Sequence, residues 1–502
     1  MKTFPIKRPA YAAFAGFWLL AAQALGFASA QESDIGAFSA KPADPPPPAP
    51  TYKAVYVRKN PTAGNEAKTI KDAYQKLKSG GAIYLTEMST DISNDEGGFV
   101  VTRPFHLALD SGLMGEIDKR SKDAGEKAAV NPAQDGSCIT VDLTSVETAA
   151  GGRGDPGEIT IRDVEFTARP DIAATCITLV NGKLMLDNVG VKSNFDGDAF
   201  ERGVLVTGGE LATLRSFSIE AARSGMDIRG GLVSLPDGGT ITRTGAGDPA
   251  RGSVDEACRT GRFGDHAFGL IVERGSDMRK ADPAIAASGL LIRGFDAGIC
   301  AIGSGLRISR SELDRNFIGA ALHGAAVIDG MRIKNSGDVG VLTAGGANKH
   351  ITDSVITGNP VGALLDGEIV LSGSRIEESA TAGILNRSAN ATVTDNEVVN
   401  NRVGVDLDGG TPQDFSGNIV AFNLAAFAGA GDDEDIGNVR GNIVSCNAEI
   451  GSVGEARSFR RFNIRKKNKE KFCTGARRSD HCDELRPRGP AYCGDSAALN
   501  GN

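Results

Sequence analysis

Short apolar strands and polar turns alternate at a nearly constant interval along the C-terminal half of the chain. A nine-residue segment recurs as ISRSELDRN (308–316), IDGMRIKNS (328–336), ITDSVITGN (351–359), LSGSRIEES (371–379), VTDNEVVNN (393–401), FSGNIVAFN (415–423) and VRGNIVSCN (439–447). The starts lie 20, 23, 20, 22, 22 and 24 residues apart. Each segment pairs with a second short apolar strand, usually opened by a glycine: Gly298, Gly319, Gly340, Gly362, Gly383 and Gly404, with Ala426 next in line. A period of this size signals a solenoid of stacked, equivalent units. Two or three strands per coil of ~22 residues, with almost no helical periodicity, predict a parallel β-helix. A leucine-rich repeat shares the period but needs several leucines at fixed offsets, which these coils lack.

The same pattern divides the rest of the chain. TIKDAYQKL (69–77) places Ile70, Ala73, Tyr74 and Leu77 on one helical face, with Gly80 just past the end. An open solenoid end must be covered, so this helix is expected to cap the N-terminal coil. Strands then begin at AIYLTE and FVVTRPFHLAL, and less regular coils run from about 136 to 230, including ITIRDVEFT, LMLDNVGVK and LATLRSFSI. The polar stretch 114–136 and the Gly-, Arg- and Asp-rich stretch 232–286 are expected as loop insertions beside the coils. The expected organisation is therefore a β-helix domain over 52–447, its cap at about 52–80, and a distinct C-terminal tail or cap over 448–502.

An asparagine-closed strand followed by a Gly-Ile-type strand resembles the parallel β-helix repeat of the pectin-lyase-like right-handed β-helix superfamily, over most of residues 80–447. The resemblance implies an all-β, right-handed, single-stranded parallel β-helix. It leaves activity open, because lyases, hydrolases, epimerases, adhesins and non-catalytic binders share the architecture. It admits Ca2+ as a cofactor; the residues themselves point to no cofactor and no metal.

Composition narrows the class. Residues 1–30 read as a secretory signal: Lys2, Lys7 and Arg8, an apolar stretch through FWLLAAQALGFA, then Ala28-Ser29-Ala30 as a cleavage site. Residues 31–51, with Pro42 and the Pro45–Pro48 run, read as a stiff, extended linker. Removing the signal takes three cations and no acids, moving the net charge from −8 to −11. Such an acidic body disfavours nucleic acid as a partner. No later apolar run approaches membrane-spanning length. Eight cysteines, all beyond residue 137, suit an oxidising compartment. A periplasmic or secreted protein is expected, its oligomeric state unspecified.

Asn316, Asn359, Asn401, Asn423 and Asn447 close their nine-residue segments. Stacked at one turn, they are expected to hydrogen-bond neighbouring coils as a structural ladder. Arg332-Ile333-Lys334 and Asn194-Phe195-Asp196-Gly197 resemble motifs of the polygalacturonase family. Ile333, however, fills the repeat's buried position, alongside Leu313, Ile356, Ile376 and Val398, and Asn194 falls at the ladder position. The family's paired aspartates and Gly-His-Gly element are missing, so that chemistry is set aside.

Counting four residues on from each landmark glycine gives the row Ile302, His323, Ala344, Asp366, Arg387, Asp408. At ~4.8 Å per coil, Asp366 and Asp408 would stand about 10 Å apart with Arg387 between them. Paired carboxylates suit glycoside hydrolysis, and an arginine beside a proton-moving His323 or aspartate suits uronate elimination or epimerisation. The plainer alternative is an ion ladder on a solvated strand edge.

A second candidate cluster, Arg259, Arg262, Asp265 and His266, lies beside Cys258, which can instead tie its loop to Cys300. Cys138 and Cys176, in the similar strands SCITV and TCITL, read as structural. Residues 457–478 hold ten basic residues and one acid, among them Arg465, Lys466 and Lys467. They offer a patch for an anionic polymer, or a cap tied by Cys473, Cys482 and Cys493 and by Cys446.

Two functions follow. The first is an exported β-helix that binds polysaccharide, anionic in preference, without catalysis. The alternative is a lyase, epimerase or glycoside hydrolase acting on an acidic glycan. Trp18 in the signal is the one tryptophan, and no tyrosine lies between Tyr84 and Tyr492. Ligands held by arginine are thus favoured over neutral sugars stacked on broad rings.

Overall fold

The computed structural model describes most of residues 54–466; the longer stretches outside the description are 92–99, 110–126, 146–156, 245–252, 274–283, 430–437 and 452–462. The expected signal, linker and distal tail, Lys467 included, lie outside the described residues. Within them the chain winds into coils of three parallel strands. A representative coil runs through Ala326–Asp329, Arg332–Lys334 and Val339–Thr343, and each strand pairs in parallel with its counterpart one coil on. First strands stack into one 16-stranded sheet, and second and third strands into a 27-stranded one.

The core is a set of apolar columns inside the tube. Leu313, Ile333, Ile356, Ile376 and Val398 align in register, every one fully buried, as the repeat predicts. Burying each such side chain is worth about 1.5–3 kcal/mol. Between second and third strands a residue in the left-handed region makes the corner: Asn335, Gly358, Glu378 and Asn400 have φ of 55, 66, 58 and 57°. The next residue carries the ladder. Asn423 Oδ1 accepts from the Asn401 backbone N–H at 2.9 Å, and its amide donates to the Val398 carbonyl at 3.0 Å. Asn316, Asn359 and Asn447 do likewise; in the intervening coils Ser336 and Ser379 donate their backbone N–H to Asn359 and Asn401, while their own hydroxyls bond nothing among the described residues.

A second ladder runs through the other tight corner, at the fourth residue of the nine-residue segment: Ser354, Ser374, Asn396, Asn418, Asn442, and then Asn463. Asn194, placed by the pattern at a ladder position, instead bonds Asp198 within its own turn, at 2.8 and 3.0 Å.

The landmark glycines are a matter of space. A Cβ on Gly319 would lie 2.3 Å from the Gly340 carbonyl oxygen, and one on Gly340 2.5 Å from that of Gly362. Stacked third strands therefore approach each other through a column of bare backbone.

The first helix, α1 (Ile70–Lys76), follows the pattern. Thr69 caps it by accepting from the Asp72 N–H at 3.1 Å, and Ile70, Ala73 and Tyr74 are buried beside the first strand, Ala54–Val57. Two boundaries differ from expectation. The stretch 232–286 is not one insertion: it contains a full coil, Leu232–Leu235, Gly239–Arg243 and Phe268–Val272. The added chain lies on either side of that third strand, and the earlier part carries a second helix, α2 (Val254–Thr260). Ile464–Lys466 pairs with Ile443–Ser445, so Arg465 and Lys466 belong to a further coil strand and not to a tail.

Replacing Asn423 with alanine strands the Asn401 N–H and the Val398 carbonyl in the core. A loss of about 1–3 kcal/mol is expected in denaturant unfolding; an unchanged midpoint would remove the ladder from the account of stability.

Candidate functional site

The outward face of the third strands differs from the rest of the tube. Its two columns run through Phe268, Ala297, Ile318, Val339, Val361 and Ala382, and through Ile271, Cys300, Ala321, Leu342, Leu364, Leu385, Asp406 and Ala428. The N-terminal part of this face is covered. Val254, Ala257 and Cys258 of α2 pack on Phe268, Ala297, Ile318 and Ala321, and Cys258 is disulfide-bonded to Cys300. Farther along, Leu364, Leu385 and Asp406 are only half-buried.

The predicted row forms the C-terminal edge of this face. Backbone N–H groups of His323, Ala344, Asp366 and Arg387 each donate into the preceding coil at 2.8–3.0 Å, so the residues stack in register. The row is nevertheless divided in two. His323 has a side chain only 6% exposed, with Nε2 3.1 Å from Asp255 Oδ1 of α2. It sits under the helix, away from the open stretch.

Asp366, Arg387 and Asp408 are exposed, and Arg387 Nη2 lies 3.4 Å from Asp408 Oδ2. Asp406, unnoticed in the pattern, stands two residues before Asp408 on the same strand edge. Burial, with help from the Asp408 charge, pushes its carboxyl above the usual range, against the pull of Arg387. The turns on either side of Asp366 are braced by buried Lys349, whose Nζ donates to the carbonyls of Gly345, Gly346 and Glu368. Burial lowers its pKa.

The row also extends toward the N-terminus. Glu273 and Arg229 precede Ile302 in register. Asp227, fully buried, binds Arg202 at 3.0 Å and Arg229 through both carboxylate oxygens, at 3.1 and 2.8 Å. Glu273 lies 3.5 Å from Arg229; burial, then Asp227, raises its pKa. The signal was present: Gly225 and Gly269 pack against their neighbours as the later landmark glycines do, and four residues on stand Arg229 and Glu273. The chain inserted between them hid the interval.

The second predicted cluster does not converge. Arg259 pairs with Glu256 inside α2, Arg262 is exposed, and Asp265 reaches Arg223 at 3.1 Å. His266 turns to fully buried Asp296, Nδ1 to Oδ2 at 3.6 Å, where Arg243 and the Ala267 N–H are also bound. These are separate local pairs. Cys138–Cys176 and Cys258–Cys300 are both disulfides, and Cys446 is bonded to a partner outside the described residues. Among the described residues no group of three or more His, Cys, Asp or Glu is placed to hold a metal ion such as Ca2+. Nor is any helix among them long and apolar enough to cross a membrane.

Residues 297–470 match the family model "Right handed beta helix region". The fold is a right-handed parallel β-helix. No curated protein matches the sequence. Solved structures of similar fold include the periplasmic alginate epimerase AlgG, at 13% identity over 79% of this chain and 87% of that one, with a TM-score of 0.34. The Azotobacter vinelandii mannuronan C-5 epimerase AlgE4 A-module is 15% identical over 63% and 86%, TM-score 0.32. Pectate lyase Pel9A is 12% identical over 85% and 81%, TM-score 0.21. Their names are those of polysaccharide-acting enzymes. At such identity no residue role carries across.

A carboxyl whose pKa is raised by folding holds its proton more tightly in the native chain than in the unfolded one. Stability then falls as pH rises through the carboxylate range and stays lower above it. Asp406→Asn should therefore raise stability at neutral pH and leave it unchanged below that range. Denaturant unfolding at both pH values checks this; a loss at neutral pH contradicts it.

Proposed function

We propose that this is an exported enzyme that acts on an acidic polysaccharide laid along the open third-strand face, by proton transfer at a uronate unit. The observation that supports it is Arg387: a guanidinium half-exposed, stacked in register between Asp366 and Asp408, beside half-buried Asp406. A sugar carboxylate can take the place of Asp408 on the guanidinium in a charge-assisted pair. Neutralising that carboxylate makes the adjacent carbon-bound proton easier to remove.

Asp366 takes that proton as the general base, and the electron pair left on carbon forms the double bond as the glycosidic C–O bond breaks. Asp406, held toward its protonated form, gives its proton to the departing oxygen. Epimerisation shares the first step and returns a proton to the opposite face. The chain's acidic body and its disulfides fit a periplasmic or secreted location, with polysaccharide as partner. Binding without catalysis is the second reading, favoured by Arg387 already having Asp408 as its partner.

Purified protein incubated with a panel of polyuronates should produce unsaturated ends, read by ultraviolet absorbance, or exchange the carbon-bound proton with deuterated solvent. Arg387→Ala and Asp406→Asn should each lower turnover by about 10²-fold or more. Turnover equal to wild type in both variants would refute the site, and retention of polymer without any turnover would establish the binder.

A further inference from the structure

The covered and open parts of the third-strand face meet at a fixed boundary. On one side, Phe268, Ala297, Cys300, Ile318 and Ala321 are almost wholly excluded from solvent beneath the 254–268 segment. On the other lie half-buried Leu364 and Leu385, flanked by exposed Asp366 and Arg387. Three contacts hold the segment in place. Cys258 is bonded to Cys300 on the face itself, Asp255 meets His323 on the edge row at 3.1 Å, and Phe263 packs on Phe268 with ring centroids 4.9 Å apart. A disulfide to a core strand makes this a rigid wall and not a mobile flap, since lifting the helix would break that bond or expose the apolar cluster beneath it.

We infer that α2 and its flanking residues form an end stop. A glycan chain lying along the open face has its terminal residue against the helix, so the protein engages chain ends and not the interior of a polymer. The inference rests on the proposed function and adds the substrate's form to it. From the Asp366 row to the His323 row is two coils, about 10 Å at ~4.8 Å each, so the end unit lies close to the charged groups named above. His323 and Asp255 are positioning residues in this account: they seat the wall and do not touch the reacting atoms.

The test uses binding, so that it does not depend on turnover. A linear oligouronate of defined length is prepared unlabelled, and with a bulky fluorophore at its reducing or at its non-reducing end. Affinity for the full chain is measured by calorimetry for all three. One label, and only one, should weaken binding by about tenfold or more, the other being tolerated. Cys258→Ser/Cys300→Ser should restore binding of the disfavoured form. Asp255→Ala, which keeps the disulfide, serves as the second variant and should restore part of it, with folding of both checked by cooperative melting. Equal tolerance of both labels, or loss of binding with both, would overturn the end stop while leaving the acidic-glycan site standing. If even the unlabelled oligouronate fails to bind, the acidic-glycan reading falls and the end stop with it.

Discussion

Everything in this molecule depends on identical backbone corners stacking in register at about 4.8 Å. A solenoid has no second layer to cover its turns, so each corner's buried N–H and carbonyl groups must be satisfied by the coil above or below. Two columns of Asn and Ser supply most of these bonds, one at each tight corner, behind left-handed residues such as Asp395 and Asn400. A single mismatched corner would strand polar groups in the core, at a cost of about 1–3 kcal/mol each. The tolerance for variation is thereby pushed onto the third corner, between the third strand and the next first strand.

That third corner is where the chemistry lies. Its residues follow the bare-backbone glycine column by four positions, so one residue per coil reaches the same edge. Stacking turns chain distance into a line of side chains: Arg229, Glu273, Ile302, His323, Ala344, Asp366, Arg387 and Asp408. The adjoining face is apolar where α2 covers it and gains Asp406 where it is open. Charge along this edge stands in two stretches, Arg229 with Glu273 and Asp366 to Asp408, and the second lies beside the open Leu364 and Leu385. The second strands carry ion pairs of their own: Lys334 pairs with Glu312, and Arg375 with Glu377 and Glu397.

The coil, its buried isoleucine column, the ladder at Asn316 to Asn447, and α1 were legible because each repeats or obeys a local rule. The second ladder was visible at the fourth place of the same nine residues. Met331 and the serines of three coils diluted it, although Ser and Asn do the same work there. The coil at Leu232–Val272 was hidden because inserted chain broke its interval, and with it went Glu273 and Arg229. Asp406 was missed for a different reason: counting from the glycines samples one residue per coil, and Asp406 lies on the face beside that row. The cover over His323 comes from α2, a non-repeating segment, and period alone cannot place such a segment. Cys258 was the clue to it, since its bond to Cys300 fixes the helix on the third-strand face.

The central claim is that the open third-strand face, and no other side of the tube, receives an acidic glycan. Hydrogen–deuterium exchange with and without a saturating oligouronate tests it most directly. The account predicts ligand-induced protection in the third strands and following corners, over 361–366, 382–387 and 403–408. Protection confined to the first strands, such as 349–352 and 369–372, would place the ligand on the opposite sheet and contradict it.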